Sequence, residues 1–525
     1  MTSEGGQRRP GTWASLRSTV GSWRLASVTL LSFSSGLPLG LVWLAIPAWM
    51  ARAGVDIKVI GLFTLAQAPW SFKLLWSPSM DRFPLPFLGR KRGWILAAQV
   101  LLMALGFALS GVSDRPQAVW VIGALVLAIA FASATQDIAI DAYAVEVLER
   151  EEQGIATGAR TAFYRGAMLV AGGASITLAA ETSWALVNLL LALCYLPLML
   201  VTWFAPEPET LPRPPRTLRE AVWGPFVGFL AQHRALEILA FVVLFKLADN
   251  LTQALTRPFL VQVGFNDFDV GIATATIGQA AAIAGTMAGG MLTDRIGLGR
   301  ALWVFGLLQL VSNLGYAAVA QVGVNRPVMY AAQAFELGAS GLGSGAFGVL
   351  LLRLTQKRFS ATQYALLSSL FTLPRVLAGP VAGVLADLMG WRDFFVLTVA
   401  FGIPGMVMLS RFVPWRARDV EFEVPAPARA APLTRRALVA RSLLGGTVAL
   451  LAGLSTVALL GGLASLRAGR GFAALPAVWA VLRPTRIGDW TTAVGLLVLA
   501  VLVGLATAAT LVARRRPPDG GEPQP

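Results

Sequence analysis

The chain has 525 residues, 56% of them hydrophobic and 14% charged, with a mean hydropathy of +0.65 and a formal net charge of +15. A soluble domain carries about 25% charged residues, so this composition excludes an ordinary soluble globular protein. A single cysteine, Cys194, and a single histidine, His233, exclude a disulfide framework, a multi-histidine metal site and histidine-based catalysis.

The N-terminal stretch MTSEGGQRRPGTW is polar and basic, and the apolar segment after it is too long for a signal peptide, so it reads as a retained first helix. Windows of about 19 residues then predict membrane spans at 26–48, 58–78, 93–111, 118–143, 156–179, 184–205, 237–260, 269–291, 301–321, 328–352, 362–387, 392–412, 441–466 and 490–512. Each is long enough to cross a hydrocarbon core of ~30 Å. The organisation that follows is a cytoplasmic tail (1–25), a six-helix bundle (26–205), a Pro/Arg-rich cytoplasmic linker (206–236), a second six-helix bundle (237–412), a second linker (413–440), two extra helices (441–513) and a disordered tail (514–525). The fold class is thus an all-α membrane protein.

Most arginines lie in short loops between apolar segments, where they set topology and do not form a nucleic-acid surface. Alternate loops carry Arg8, Arg9, Arg17 and Arg24; Arg82, Arg90, Lys91 and Arg92; Arg213, Arg216 and Arg219; and Arg514, Arg515 and Arg516. This pattern puts both termini in the cytoplasm. The loop before the last helix dissents, with Arg467, Arg470, Arg483 and Arg486. Either it holds an interfacial helix around 471–482 or the last helix pair is displaced.

The two bundles repeat each other. Asp81-Arg82 recurs as Asp294-Arg295, Ile60-Gly61 as Val270-Gly271, and YRGAMLVAGG at 164–173 loosely as PRVLAGPVAG at 374–383. Such a duplication is the signature of parallel halves facing a central cavity.

Charge at membrane depth costs several kcal/mol and usually faces a bundle interior or a wet cavity. QDIAIDAY places Asp137 and Asp141 at i, i+4 on one helical face, and the next helix carries Arg160 and Arg165. Counted from the turn near residue 151, Asp141 lies level with Arg160 and Asp137 with Arg165. Lys73 adds a charge in helix 2. The second half holds Lys246, Asp249 and Asn250 in helix 7, Glu336 in helix 10 and Arg375 in helix 11, the last two level across their own turn. Such pairs either fix helix register or form a substrate site and proton relay. Desolvation raises a carboxyl pKa and a neighbouring arginine lowers it, so making and breaking that contact moves a proton. Asp137, Asp141 and Glu336 are the relay candidates. Lys73, Arg160, Arg165 and Arg375 suit an anionic solute. The glycines of GASGLGSGAFG at 338–348 point to close helix packing or to a flexible gate.

The loops GGMLTDRIGLGR (289–300) and MDRFPLPFLGRKR (80–92) resemble the loop signature of the major facilitator superfamily, the first copy stretched by FPLPFL. That resemblance implies that Asp81, Arg82, Asp294, Arg295 and Arg300 hold a cytoplasmic gate closed. Two longer stretches, FKLLWSPSMDRFPLPFLGRKRGWILAAQ (72–99) and ATQDIAIDAYAVEVLEREEQGIATGARTAFYRGAMLVAGG (134–173), are similar to the AmpG-type muropeptide permeases, a branch of that superfamily related to acetyl-CoA transporters. They imply a 6+6 bundle fold and proton-coupled import of anhydromuropeptides across the inner membrane for cell-wall recycling. The runner-up is a carrier of another anionic solute, such as an acyl-CoA or a sugar conjugate. A membrane-embedded glycosyltransferase would need acidic or histidine clusters at the membrane–water boundary or a large aqueous loop, and no loop here is long enough; an assembly factor would need no two-sided cavity. The partners expected are membrane lipids, the solute and protons, with no nucleic acid, no cofactor, no metal and no second subunit.

Overall fold

The computed structural model describes residues 21–513 apart from 57–58, 61–62, 86, 116–117, 209–212, 233, 416, 420–432, 468, 470 and 486. The N-terminal tail to residue 20, His233, Arg470, Arg486, most of the second linker and the tail from 514 lie outside the described residues, as does the side chain of Arg467.

Among the described residues fourteen helical segments follow the expected spans, with a further helix, Leu218–Leu230, in the first linker: α1 Trp23–Arg52, α2 in short pieces from Thr64–Gln67 to Ser77–Arg82, α3 Arg92–Val112, α4 Val119–Val147, α5 at 153–181, α6 Trp184–Phe204, α7 as Ala235–Leu244 and Leu247–Val263, α8 Asp267–Ile296, α9 Leu298–Val322, α10 Arg326–Leu354, α11 Ser360–Met389, α12 Trp391–Phe412, α13 Arg435–Arg467 and α14 Ile487–Ala513. Among the described residues, ten of these are long and apolar enough to cross a membrane on length and composition alone. The four that are not are α2, α5, α7 and α11. They are broken or carry charge, and all four bring side chains to the site described below.

Local sequence explains the breaks and the ends. Pro69 and Pro78 each open a short helix in α2, because proline fits the first helical turn and cannot donate within an unbroken one. Helix 2, expected as one span over 58–78, therefore descends in steps, and Lys73 sits at a step. Asn266 and Asn325 cap α8 and α10, accepting hydrogen bonds from Asp269 N at 2.7 Å and Val328 N at 3.2 Å. Gly264 ends α7 at φ +109°, where a side chain would be strained. Single π-helical turns interrupt α1 at Leu41–Ala45, α5 at Val170–Ala174 and α8 at Ile272–Ile277.

The chain forms two compact units. One takes in residues up to 222 and 236–422, the two six-helix bundles; the other takes in 223–235 and 423–525, with the two additional membrane helices. Glycines set the close crossings of the first unit. A Cβ on Gly36 or Gly40 would strike the backbone of Tyr164 or Met168 in α5, and one on Gly285, Gly341 or Gly345 would strike backbone across the α8–α10 contact. The glycine run of α10 thus serves close packing. In the second unit α13 and α14 pack antiparallel, Gly446 against Ala500 and Gly504 against Ser442. A short helix, Leu475–Leu482, lies where the loop was expected to hold one.

Candidate functional site

Four helices of the first half meet around two acids. Lys73 Nζ, delivered by the step in α2, donates to Asp137 Oδ2 at 2.6 Å and to Asp141 Oδ2 at 3.5 Å. Arg160 Nη2 donates to Asp141 Oδ1 at 2.5 Å, and its Nε donates to Ser32 Oγ at 3.0 Å. Ser35 Oγ donates to Asp137 Oδ1 at 2.8 Å. Two acids and two bases cancel, as burial of charge requires.

The expected Asp141–Arg160 pair forms. Asp137 does not meet Arg165, because two things escaped the depth count. Lys73 enters from a third helix and takes Asp137. And five residues of helix turn a side chain by about 140°, so Arg165 cannot share the face of α5 that Arg160 presents to α4. Arg165 Nη1 instead donates across to Gln279 Oε1 of α8 at 2.6 Å.

The quartet forms one wall of a chamber of about 370 Å³. Its other walls include Tyr164 of α5 and, from the second half, Phe347 of α10 with Tyr364, Ser368 and Phe371 of α11. The chamber therefore lies between the two bundles. The Phe347 and Phe371 rings stack at 4.4 Å between centroids.

A second cavity, about 480 Å³, opens within the other half and shares the Arg165–Gln279 wall. Asn250, Gln253 and Arg257 of α7, Glu336 of α10 and Arg375 of α11 line it. Glu336 is 1% exposed and accepts from Gln253 Nε2 at 3.0 Å. The expected Glu336–Arg375 pair does not form. The α7 side chain reaches the buried carboxylate, while Arg375 projects into the cavity, where no carboxylate contacts it among the described residues. Lys246 lies apart, fully engaged by Asp249 Oδ2 at 2.8 Å, Gln309 Oε1, and Ser340 O at 2.8 Å and Oγ at 3.0 Å.

At one end of the bundles the halves are latched twice. Asp81, at the end of α2 and fully buried, accepts from Ala361 N at 3.2 Å, Thr362 N at 2.9 Å and Thr362 Oγ1 at 2.8 Å, the first turn of α11. It also pairs with Lys91 at 2.6 Å and Arg90 at 3.3 Å. Asp294, at the end of α8, accepts from Gly154 N and Ile155 N at 3.1 Å each, the first turn of α5. Each carboxylate thus caps a helix N-terminus of the opposite half, where unpaired N–H groups and the helix dipole favour an anion. Arg82, Arg295 and Arg300 make no contact across the halves among the described residues: Arg82 lies over the Phe83 ring, and Arg295 and Arg300 face outward.

Sequence reasoning missed Arg257, Gln253 and Gln279 as lining groups, and it read Arg90 and Lys91 only as topology signals. The signal for Arg257 was present: Lys246, Asn250, Gln253 and Arg257 recur at three- and four-residue intervals, one polar stripe along α7.

Two facing six-helix bundles around an interior polar chamber define a membrane transporter of the two-half carrier type. The sequence profile of the Major Facilitator Superfamily matches residues 28–376, and the chain belongs to that family. It is 42% identical over 389 residues to the anhydromuropeptide permease of Escherichia coli K12, a match covering 74% of this chain and 79% of the other. A Rickettsia felis protein bearing the name transporter AmpG 4 is 29% identical over 398 residues, covering 74% and 96%. Among solved structures, the proton:xylose symporter XylE superposes with a TM-score of 0.58 at 11% identity, covering 76% of this chain and 98% of that one, a likeness of fold.

Proposed function

We propose that the protein is a proton-coupled permease importing anhydromuropeptides across the bacterial inner membrane, both termini cytoplasmic, by alternating access of the 26–205 and 237–412 halves. The relationship to the E. coli permease carries this reading. The interior geometry supports it: a chamber between the halves suits a solute, and buried acids suit a proton. Asp137 and Asp141 are the proton carriers we favour. Both lean on Lys73, which sits on a stepped and therefore yielding stretch of α2, so a small shift of α2 changes their charge balance. Glu336 is the further carrier; one of its carboxylate oxygens, Oε2, is buried with no hydrogen-bond partner among the described residues. The two latches lie at the end we assign to the cytoplasm, so the conformation is the one shut on that side.

The deciding measurement is uptake of labelled N-acetylglucosaminyl-anhydro-N-acetylmuramic acid by a permease-deficient host. Uptake that collapses with a protonophore is the expected result, and no uptake by a well-expressed protein would overturn the reading. One observation favours a second substrate class, another organic anion such as an acyl-CoA or sugar conjugate: the cavities carry more cationic than anionic side chains. Competition by such compounds, with none by muropeptides, would select it.

A further inference from the structure

Basic groups in the interior of this protein fall into two kinds. Lys73, Arg160 and Lys246 are each held by a carboxylate within 4 Å, and Arg90 and Lys91 share Asp81. Arg165, Arg257 and Arg375 are different. All three face the interior cavities, Arg165 half-buried and Arg257 and Arg375 exposed to the cavity space, and among the described residues none has a carboxylate within ion-pairing distance. Arg165 has only the neutral Gln279, and it lies close enough to Arg375 to feel its charge. A guanidinium inside a membrane protein whose role is structural is normally paired, because an isolated charge there costs several kcal/mol. Three arginines without a carboxylate round two adjacent cavities leave a positive potential that an anion would relieve.

The side chains around them narrow the anion's chemistry. Arginine presents a planar fork that matches a carboxylate with two parallel hydrogen bonds. Asn250, Gln253 and Gln279 add neutral amide donors and acceptors of the kind that read peptide groups. The neighbouring chamber is of another character. Phe347, Phe371, Tyr164 and Tyr364 supply ring faces and hydroxyls, which suit a sugar ring with apolar faces and polar edges. The two spaces lie on either side of the Arg165–Gln279 contact, so an extended solute that parts it would reach both.

Resting on the muropeptide reading above, we propose that the α7–α11 cavity is a carboxylate subsite, in which Arg257 and Arg375 grip the acidic peptide end of the solute while the central chamber holds its sugar rings. Arg165 stands at the junction and orients the bond between the two parts.

The test compares uptake of a labelled anhydromuropeptide bearing its acidic stem peptide with uptake of the same compound amidated at the stem carboxylates. Arg257→Gln and Arg375→Gln should each raise KM for the acidic form about tenfold or more, the scale for removing one partner of a charged hydrogen bond. They should change KM for the amidated form less than about twofold, and Arg257→Lys should recover part of the loss. Equal effects on both forms, or none on either, would overturn the subsite. Because these arginines hold no internal ion pair, the variants should match wild type in Tm; Arg257→Lys serves where the glutamine variant does not fold. If wild type takes up neither compound, the muropeptide reading fails. The subsite is then judged on the purified chain: the dipeptide alanyl-glutamate should raise the Tm of wild type and not that of an Arg257→Gln/Arg375→Gln double variant, and equal behaviour of the two proteins overturns it.

Discussion

The two halves share a backbone plan and divide their chemistry. At an offset of about 210 residues, Arg165 and Arg375 are equivalent in the repeat, and each faces a cavity with no acid paired to it among the described residues. The same offset carries Asp137 and Asp141 onto Phe347 and Leu351, so the acidic face of α4 is an apolar face on α10. The first half keeps a neutralised quartet of charges; among the described residues the second keeps Glu336 with no cation, and two arginines with no acid, within ion-pairing distance. The latches differ likewise. Asp81 and Asp294 cap equivalent helices, yet only Asp81 also carries two buried cations. Duplication supplied the scaffold, and side-chain divergence separated the tasks.

The sharpest way to break the comparison is at the quartet. Asp137→Asn should abolish uphill uptake in vesicles, a loss of 100-fold or more, with expression intact, because the proton-carrying role proposed for it needs an ionisable group. Normal concentrative uptake by that variant would remove Asp137 from the proton path. Exchange of partners at Asp141 and Arg160 probes the same cluster through folding. Either single reversal leaves like charges buried together and should cost about 3–5 kcal/mol, whereas Asp141→Arg with Arg160→Asp should recover much of it. A double variant no better than the singles would show that the contact does not hold the fold.

The latches should separate next. Asp81→Ala removes the nearer acid from two buried cations, leaving Arg90 and Lys91 only the more distant Glu146 at 3.7 and 3.9 Å, and should cost about 2 kcal/mol or more. Asp294→Ala removes a helix cap and should cost about 1 kcal/mol. Thermal unfolding in one detergent compares them directly, and equal losses would mean that the cations of the first latch contribute nothing. Gly154→Val offers a steric counterpart, since a Cβ there meets both Asp294 and the Gly290 carbonyl; uptake should fall although no charge changes.

The smallest effect lies beyond α12, where Asp419 pairs with Arg353 at 2.9 Å. Partial burial pushes the Asp419 carboxyl up, but the hydrogen bond and charge of Arg353 outweigh it and leave the group below its ordinary value. A folded-state pKa that is depressed contributes stability above the unfolded value of about 3.9 and loses it as pH falls through the folded one. With the Asp419 side chain 60% exposed, solvent screening holds the contribution to about 0.5 kcal/mol. Asp419→Asn should flatten that acid limb and leave neutral-pH Tm nearly unchanged.

Much of this was legible in the chain itself. Apolar runs of membrane length mark ten helices among the described residues, because the hydrophobic requirement for spanning a bilayer is local and additive. The i, i+4 spacing of Asp137 and Asp141 places them on one face, and the repeated Asp-Arg dipeptides mark equivalent helix ends, since helical geometry is also local. Only the tertiary structure decided which base each acid meets. Lys73 reaches Asp137 because prolines step α2 inward, and Arg165 turns to Gln279 because the helix rotates it away from α4. Which arginines stay uncovered, and which N-termini Asp81 and Asp294 cap, depends on helices about 140 to 280 residues apart in sequence coming together. Pairing of that kind follows from packing between helices, which span length and periodicity do not encode.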